Sequence, residues 1–287
     1  MTPSDPPASP SDDSISAWKH AALGLYTYVE FGATVLTFLP IMGASWLRHR
    51  GDPTQRMPGR WMRRLGWVSS ALTPLWKFGT EGAVPADIGH KAYVVVANHE
   101  STADPFLLCW LPWDMRWVAK EELFKLPLLG WTFKFSGDIP LRRGDGDSVR
   151  TMMTTCREAL DGGISVMMFP EGTRSKTGQL LPFRDGAFSL AIEAQVPVLP
   201  LAILGTRDCI RKHSKWLGHA SATVRVLEPI PTAGLTLDDL PRLRDQARAT
   251  IQAAVDEMRG ATVETVEDSG PVSGPRVSRS IPLAAES

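Results

Sequence analysis

The 287-residue sequence predicts an α/β fold, a largely parallel sheet flanked by helices and preceded by an N-terminal helical hairpin. Two patterns carry this reading. Short β-branched or apolar runs at 93–97 (YVVVA), 117–119, 139–141, 164–169 (ISVMMF), 198–203 and 222–226 alternate with stretches of helical period at 148–160, 186–195 and 237–259. Strands that alternate with helices are the mark of βα units, whose strands run parallel. Ahead of them, residues 21–47 are almost continuously apolar, and 60–73 form a second, amphipathic stretch that ends at Pro74. Apolar residues make up 43% of the chain and charged residues 22%, enough to bury a sizeable core.

The helices have readable ends. Ser148 is placed to cap the 148–160 helix and Gly162-Gly163 to stop it, and Thr236 precedes the 237–259 helix. The chain divides into a disordered Pro/Ser/Asp tail at 1–14, a membrane-associated helical region at 15–79, the α/β domain at 80–260 and a flexible tail at 261–287. The first segment lacks the basic n-region of a signal peptide.

Composition excludes several classes. Lys+Arg and Asp+Glu are 31 each, so no nucleic-acid partner is expected. A mean hydropathy of −0.09 excludes a bundle of many spanning helices. Cys109, Cys156 and Cys209 are odd in number and form no CxxC pair, which argues against a disulfide scaffold or a structural zinc site.

The N-terminal region has a membrane character. Residues 31–47 carry no charge. A spanning helix needs about 20 apolar residues. Glu30 is costly in hydrocarbon unless shielded, and Pro40 invites a kink. A tilted span and a helix pair that enters one leaflet and returns both fit. Arg48, Arg50, Arg56, Arg60, Arg63, Arg64 and Lys77 follow against Asp52 alone, and five of the ten Trp lie in the first 80 residues. Trp and Arg together suit the lipid headgroup region, and the basic side puts the α/β domain on the cytoplasmic face. In the second stretch Trp61, Leu65, Val68 and Leu72 share one face, with Arg63, Ser70 and Thr73 opposite.

The residues able to carry chemistry follow the predicted strands. Asn98-His99-Glu100-Ser101-Thr102-Ala103-Asp104 comes directly after YVVVA. Asp104 can fold back through one turn to hold one imidazole nitrogen of His99 and leave the other free as a base. Phe169-Pro170-Glu171-Gly172-Thr173-Arg174-Ser175 comes after ISVMMF. There Gly172 permits close backbone approach, Glu171 can accept from a hydroxyl, and Arg174 offers a donor fork for phosphate. Lys120, Arg142 and Arg143 also follow strands, so a parallel sheet would bring His99, Lys120, Arg143 and Arg174 to one edge. No GxSxG elbow supplies a nucleophilic serine. Asp145 and Asp147 read as a polar turn rather than a cation loop, since the other ligands are missing.

These blocks resemble those of the glycerolipid acyltransferases. NHESTADPF is similar to that family's NHxxxxD block, and FPEGTRS matches its third block without a change. Residues 137–143 (GDIPLRR) resemble the second block, with Pro140 in place of an aromatic residue and Arg142 in place of an acid, while Arg143 keeps the terminal Arg. Residues 196–200 (VPVLP) look like the fourth block, and FRDG at 183–186 resembles FKxG. The blocks stand in family order across 80–205.

The resemblance implies transfer of an acyl group from a thioester, acyl-CoA or acyl carrier protein, to the hydroxyl of a lysophospholipid. The acceptor it favours is 1-acyl-glycerol-3-phosphate, giving phosphatidic acid. His99 would be the base and Asp104 its support, with no covalent acyl-enzyme, no metal and no cofactor. Arg143, Arg174 and Lys120 would hold the acceptor phosphate. Glu171 and Gly172 would position the glycerol, with Asn98 and Thr173 also in the substrate-binding set. Arg142 adds a cation that favours phosphate or a different headgroup. Another lysophospholipid or glycerol 3-phosphate stays open as acceptor, as does a non-catalytic lipid-binding membrane protein of the same fold, against which the intact His99/Asp104 pair argues.

Overall fold

A computed structural model describes residues 17–175, 177–210 and 217–267, so the expected tail at 1–14 and most of that at 261–287 lie outside the described residues. Seven strands form one sheet: β1 (Trp76–Glu81), β2 (Val94–Ala97), β3 (Met115–Lys120), β4 (Ile139–Leu141), β5 (Ser165–Met168), β6 (Val198–Leu204) and β7 (Ala220–Val226). Their order is β1-β7-β6-β2-β5-β3-β4. Strands β2 to β6 are mutually parallel, β7 runs antiparallel to β6, and β1 is parallel to β7. The largely parallel sheet is therefore present, with two reversed strands on one flank. Strand β1 was not anticipated. Its sequence, WKFGTE, is short, carries Gly79 and no β-branched stretch, and straddles the expected boundary at residues 79 and 80; its place is set by pairing with β7, from Trp76 opposite Ala220 to Glu81 opposite Arg225.

The central strands are buried on both faces, which is why they read as β-branched runs rather than alternating ones. Val94, Val96, Val166 and Val198 pack under α5 (Gly146–Asp161), α6 (Gly186–Ala194) and α7 (Leu240–Glu267), where Cys156, Phe188, Ile251 and Val255 complete the core. Tyr93, Val95, Met115, Leu199 and Ile203 face the other way, against Leu107 and Leu108 of α3 (Asp104–Leu108). The cap of α5 is Asp145 rather than Ser148: Asp145 Oδ1 accepts from the backbone N–H of Asp147 (3.1 Å) and Ser148 (3.0 Å). Thr236 does cap, through a reciprocal box with Asp239, ahead of α7.

Outside α3 lies the helical layer of α1 (Ala17–Arg48), α2 (Arg56–Leu72) and α4 (Leu129–Ser136), packed around Val35, Met42 and Leu65. Helix α1 stays helical through Pro40, and its 32 residues make a rod about 48 Å long. Val35 and Met42 join that core, but another part of the helix is inverted, with polar residues inward and apolar residues outward. Thr27, Glu30 and Thr34 are buried, whereas Leu25, Tyr28, Val29, Leu36 and Leu47 are exposed. Glu30 is shielded by α2: its carboxylate accepts from Thr34 Oγ1 (2.9 Å) and Ser69 Oγ (3.2 Å). On α2 the expected apolar face is only partly inward. Leu65 is buried, but so are Arg63, Ser69, Ser70 and Thr73, while Trp67 and Leu72 are exposed.

Part of the basic run is turned toward protein, while Arg48, Arg50, Arg64 and Lys77 are exposed. Arg60 Nε pairs with Asp114 at 2.9 Å, with Arg56 at 3.9 Å from the same carboxylate. Arg63 donates to the carbonyl of Met115 and lies 4.5 Å over the Trp117 ring. These arginines tie α2 to the sheet, and Arg48 and Arg50 are left exposed at the end of α1.

Candidate active site

Because β2, β5, β3 and β4 are parallel neighbours, their C-terminal ends line one edge of the sheet. His99 follows β2, Glu171 to Arg174 follow β5, Lys120 closes β3, and Arg143 follows β4. At about 4.8 Å per strand, the sheet spaces the imidazole and the cations along roughly 14 Å. Arg143, Arg174 and Lys120 are exposed and take part in no ion pair among the described residues. Arg142 differs from them. Its guanidinium grips Glu121 through two hydrogen bonds (2.7 and 3.1 Å) and reaches Asp145 at 3.2 Å, so its charge is already paired at the surface with the protein's own carboxylates. Glu121 is held at about 2 chiefly by the Arg142 hydrogen bond, with Lys125 adding to it.

The imidazole is held from several directions. His99 Nδ1 lies 2.6 Å from Asp104 Oδ2, and Asp104 is fully buried. Asp104 opens α3, and its carboxylate also accepts from the backbone N–H of Glu100 (2.9 Å) and Ser101 (3.1 Å) and from the Thr206 hydroxyl. A carboxylate surrounded by donors can only accept from the ring, so Nδ1 carries the proton and Nε2 presents its lone pair. Nε2 has no hydrogen-bond partner among the described residues. The ring stacks on Phe169 at 4.1 Å between centroids, 20° from parallel, and is partly exposed.

The two loops are strapped together by the backbone of His99. Its N–H donates to Glu171 Oε1 (2.9 Å), its carbonyl accepts from the Ser175 N–H (2.9 Å), and Glu171 Oε2 accepts from the Leu181 N–H (3.1 Å). Both Glu171 oxygens are thus engaged by backbone, and burial raises its carboxyl above the ordinary range. Asn98 is equally inward: its amide donates to the Ile203 carbonyl (2.9 Å) and accepts from the Ile203 N–H (2.8 Å), extending the β2–β6 ladder by one residue. Gly172 sits at φ 67° with the Arg184 Nε 2.8 Å from where a Cβ would project, a conformation and a closeness that suit glycine. Thr173 is exposed beside Arg174.

Sequence reasoning did not find Glu100 or Thr206. Glu100 Oε2 accepts from the Gly205 N–H at 3.0 Å and lies 3.5 Å from the Thr206 hydroxyl. Burial, then the neighbouring Asp104 charge, push its carboxyl up to about 7. Thr206 stands 102 residues from Asp104, and no local spacing links them. Among the described residues no three His, Cys, Asp or Glu side chains group to hold a metal ion.

The family model described as Acyltransferase matches residues 79–204, which span the whole of this edge. A chloroplastic 1-acyl-sn-glycerol-3-phosphate acyltransferase of Arabidopsis thaliana is 33% identical over 210 residues, covering 72% of this chain and 58% of that protein. The 1-acyl-sn-glycerol-3-phosphate acyltransferase beta of Homo sapiens is 31% identical over 229 residues, covering 79% of each chain. The crystal structure of a 1-acyl-sn-glycerophosphate acyltransferase, PlsC, from Thermotoga maritima has the same fold, with a TM-score of 0.67 at 24% identity over 84% of this chain and 97% of that one. Fold and sequence together define an α/β acyltransferase domain carried on a helical layer, and the chain belongs to the acyltransferase family. Within that family its relatives are 1-acyl-sn-glycerol-3-phosphate acyltransferases, although the chain spans only about half the length of several of them.

Proposed function

We propose that the protein transfers an acyl group from a thioester to the free hydroxyl of 1-acylglycerol 3-phosphate, forming phosphatidic acid. The observation that carries this is the bond between Asp104 and His99 Nδ1, which leaves Nε2 bare at an edge where Arg174, Lys120 and Arg143 stand unpaired. Nε2 takes the proton of the acceptor hydroxyl as its oxygen attacks the thioester carbonyl carbon. Asp104 stabilises the imidazolium that forms. The C–S bond then breaks, and the leaving thiolate recovers the proton from Nε2. The thioester is already activated, so the acid–base step needs only a positioned imidazole, a contribution of about 10²–10⁴ in rate. Holding two amphiphiles in register supplies much of the rest.

The cations are assigned to the acceptor phosphate, with Arg174, one strand from His99, nearest in strand order. Glu171 and Asn98 serve by fixing the loops that carry His99 and Arg174. Gly172 and Thr173 line the same loop. Acyl-CoA and acyl carrier protein remain the two donors that fit. The apolar side chains that α1 and α2 expose, Leu25, Val29, Leu36, Leu47 and Leu72 among them, support insertion in lipid, because such a face exposed to water would be costly. From Tyr26, whose hydroxyl donates to the Leu72 carbonyl, to Met42, α1 packs lengthwise along the protein rather than standing clear of it. That favours the one-leaflet arrangement over a span, with Arg48 and Arg50 on the cytoplasmic face.

An acceptor panel tests the reading. Purified protein in phospholipid vesicles with labelled acyl-CoA should label 1-acylglycerol 3-phosphate well above lysophosphatidylcholine or glycerol 3-phosphate. Arg174→Ala should raise the KM for the phosphate acceptor about tenfold or more, the worth of one charge-assisted clamp. Preference for a neutral acceptor would defeat the phosphate assignment.

A further inference from the structure

We infer that Thr206 is a positioning residue for the reaction: its buried hydroxyl locks the Asp104 carboxylate in the orientation that holds His99. The inference rests on the proposed role of His99 as base. Thr206 is fully buried in the short turn after β6, next to Gly205 at φ 95°. Its hydroxyl donates to Asp104 Oδ1, the oxygen that His99 does not use, while Oδ2 receives Nδ1. The other donors to Asp104 are backbone N–H groups of its own turn, at Glu100 and Ser101. Thr206 is therefore the contact that ties the carboxylate to a different strand of the sheet.

The turn around Thr206 is itself fixed from the same loop. Glu100 Oε2 accepts from the Gly205 N–H and sits 3.5 Å from the Thr206 oxygen. A hydroxyl with one proton between two carboxyls can donate to only one of them. With Glu100 protonated, the Glu100 proton can point at Thr206 and the Thr206 proton at Asp104, a directed chain ending on His99. The groups facing Glu100 are Asp104, Thr206, the backbone N–H of Gly205 and Arg207, and the charge of Arg259. Gly205 leaves no room for a side chain, since a Cβ there would strike the Ser221 carbonyl of β7. The turn is thereby seated on the sheet and transmits that rigidity to the carboxylate.

The test compares Thr206→Val, which removes the hydroxyl at nearly constant shape, with Thr206→Ser, which keeps it. Two readouts are taken on the full chain in detergent or vesicles: kcat and acceptor KM, and the low-field NMR resonance of the His99 Nδ1 proton. Thr206→Val is expected to lower kcat at least tenfold with KM within about twofold, and to shift or broaden the Nδ1 resonance. Thr206→Ser should restore both. If Thr206→Val does not fold, Thr206→Ala against Thr206→Ser makes the same comparison. Wild-type kcat and an unchanged Nδ1 resonance in the hydroxyl-free variant overturn the inference. His99→Ala separates the two claims: a live His99→Ala protein defeats the base itself, whereas a dead one beside a fully active Thr206→Val protein defeats only the role of Thr206.

Discussion

A carboxyl that is 8% exposed beside another buried carboxylate has a measurable signature, and Glu100 is such a group. Burial first and Asp104 second raise it from 4.5 to about 7 in the folded protein. Below pH 4.5 the side chain is protonated in both folded and unfolded chains. Between about pH 4.5 and 7 the folded chain holds a proton that the unfolded chain has released, so stability falls as pH rises through this window. The loss is on the order of 3 kcal/mol at most. Glu100→Gln keeps an acceptor for Gly205 and has no proton to lose. Its melting temperature should therefore exceed that of the wild type by a margin that grows several degrees between pH 5 and pH 8; parallel curves would show that Glu100 is not the strained carboxyl. Sequence spacing revealed His99 and Asp104 because one turn of chain joins them. It could not reveal Thr206, which arrives from another strand. Nor does it show that Glu171 and Asn98 bond to backbone groups, because a polar side chain in a motif looks the same whether it meets a substrate or a backbone N–H.

Among the elements, α1 and α2 show where periodicity stops being informative. A helical wheel separates polar from apolar residues, but it does not say which side faces protein. In α2 the sequence puts Leu65 and Leu72 on one face and Arg63 and Thr73 opposite, yet Leu65, Arg63 and Thr73 are all buried while Leu72 is 50% exposed. The reason is local chemistry. Arg63 has the Trp117 ring and the Met115 carbonyl to meet, and Glu30 of α1 needs the Ser69 hydroxyl. This gives a cleaner membrane test than removal of 15–79, which would also strip β1 from the sheet edge. Replacing Leu25, Val29 and Leu36 by Ser should release the protein from vesicles in a flotation assay while leaving its melting temperature in detergent within a few degrees. Val35→Ala, inside the same helix but 4% exposed, should do the reverse, costing about 1–3 kcal/mol of stability with membrane binding retained. A Leu25/Val29/Leu36 variant that still floats with vesicles would defeat the outward-face account.

Across the whole molecule, the parallel run β2-β5-β3-β4 is the arrangement that makes a site out of residues scattered from 98 to 174. The alternation of strands and helices made that edge readable before any coordinates, since every candidate cation followed a predicted strand. The reversed direction of β7 and β1 was not readable, because β1 is a six-residue run interrupted by Gly79 with no β-branched stretch, and it takes its place by pairing with β7. The same sheet edge also sorts the cations. Arg142 and Arg143 are adjacent in sequence, yet Glu121 claims the first and leaves the second open to solvent.

The central claim is that one imidazole, steadied by Asp104, moves the acceptor proton. The direct measurement is release of free thiol from acyl-CoA by purified His99→Ala protein in vesicles, with and without 1-acylglycerol 3-phosphate. The account predicts acceptor-dependent release by the wild type, a fall of about 10²-fold or more in the variant at unchanged melting temperature, and acceptor KM near that of the wild type. Acceptor-dependent turnover within tenfold of wild type in a folded His99→Ala protein would contradict it.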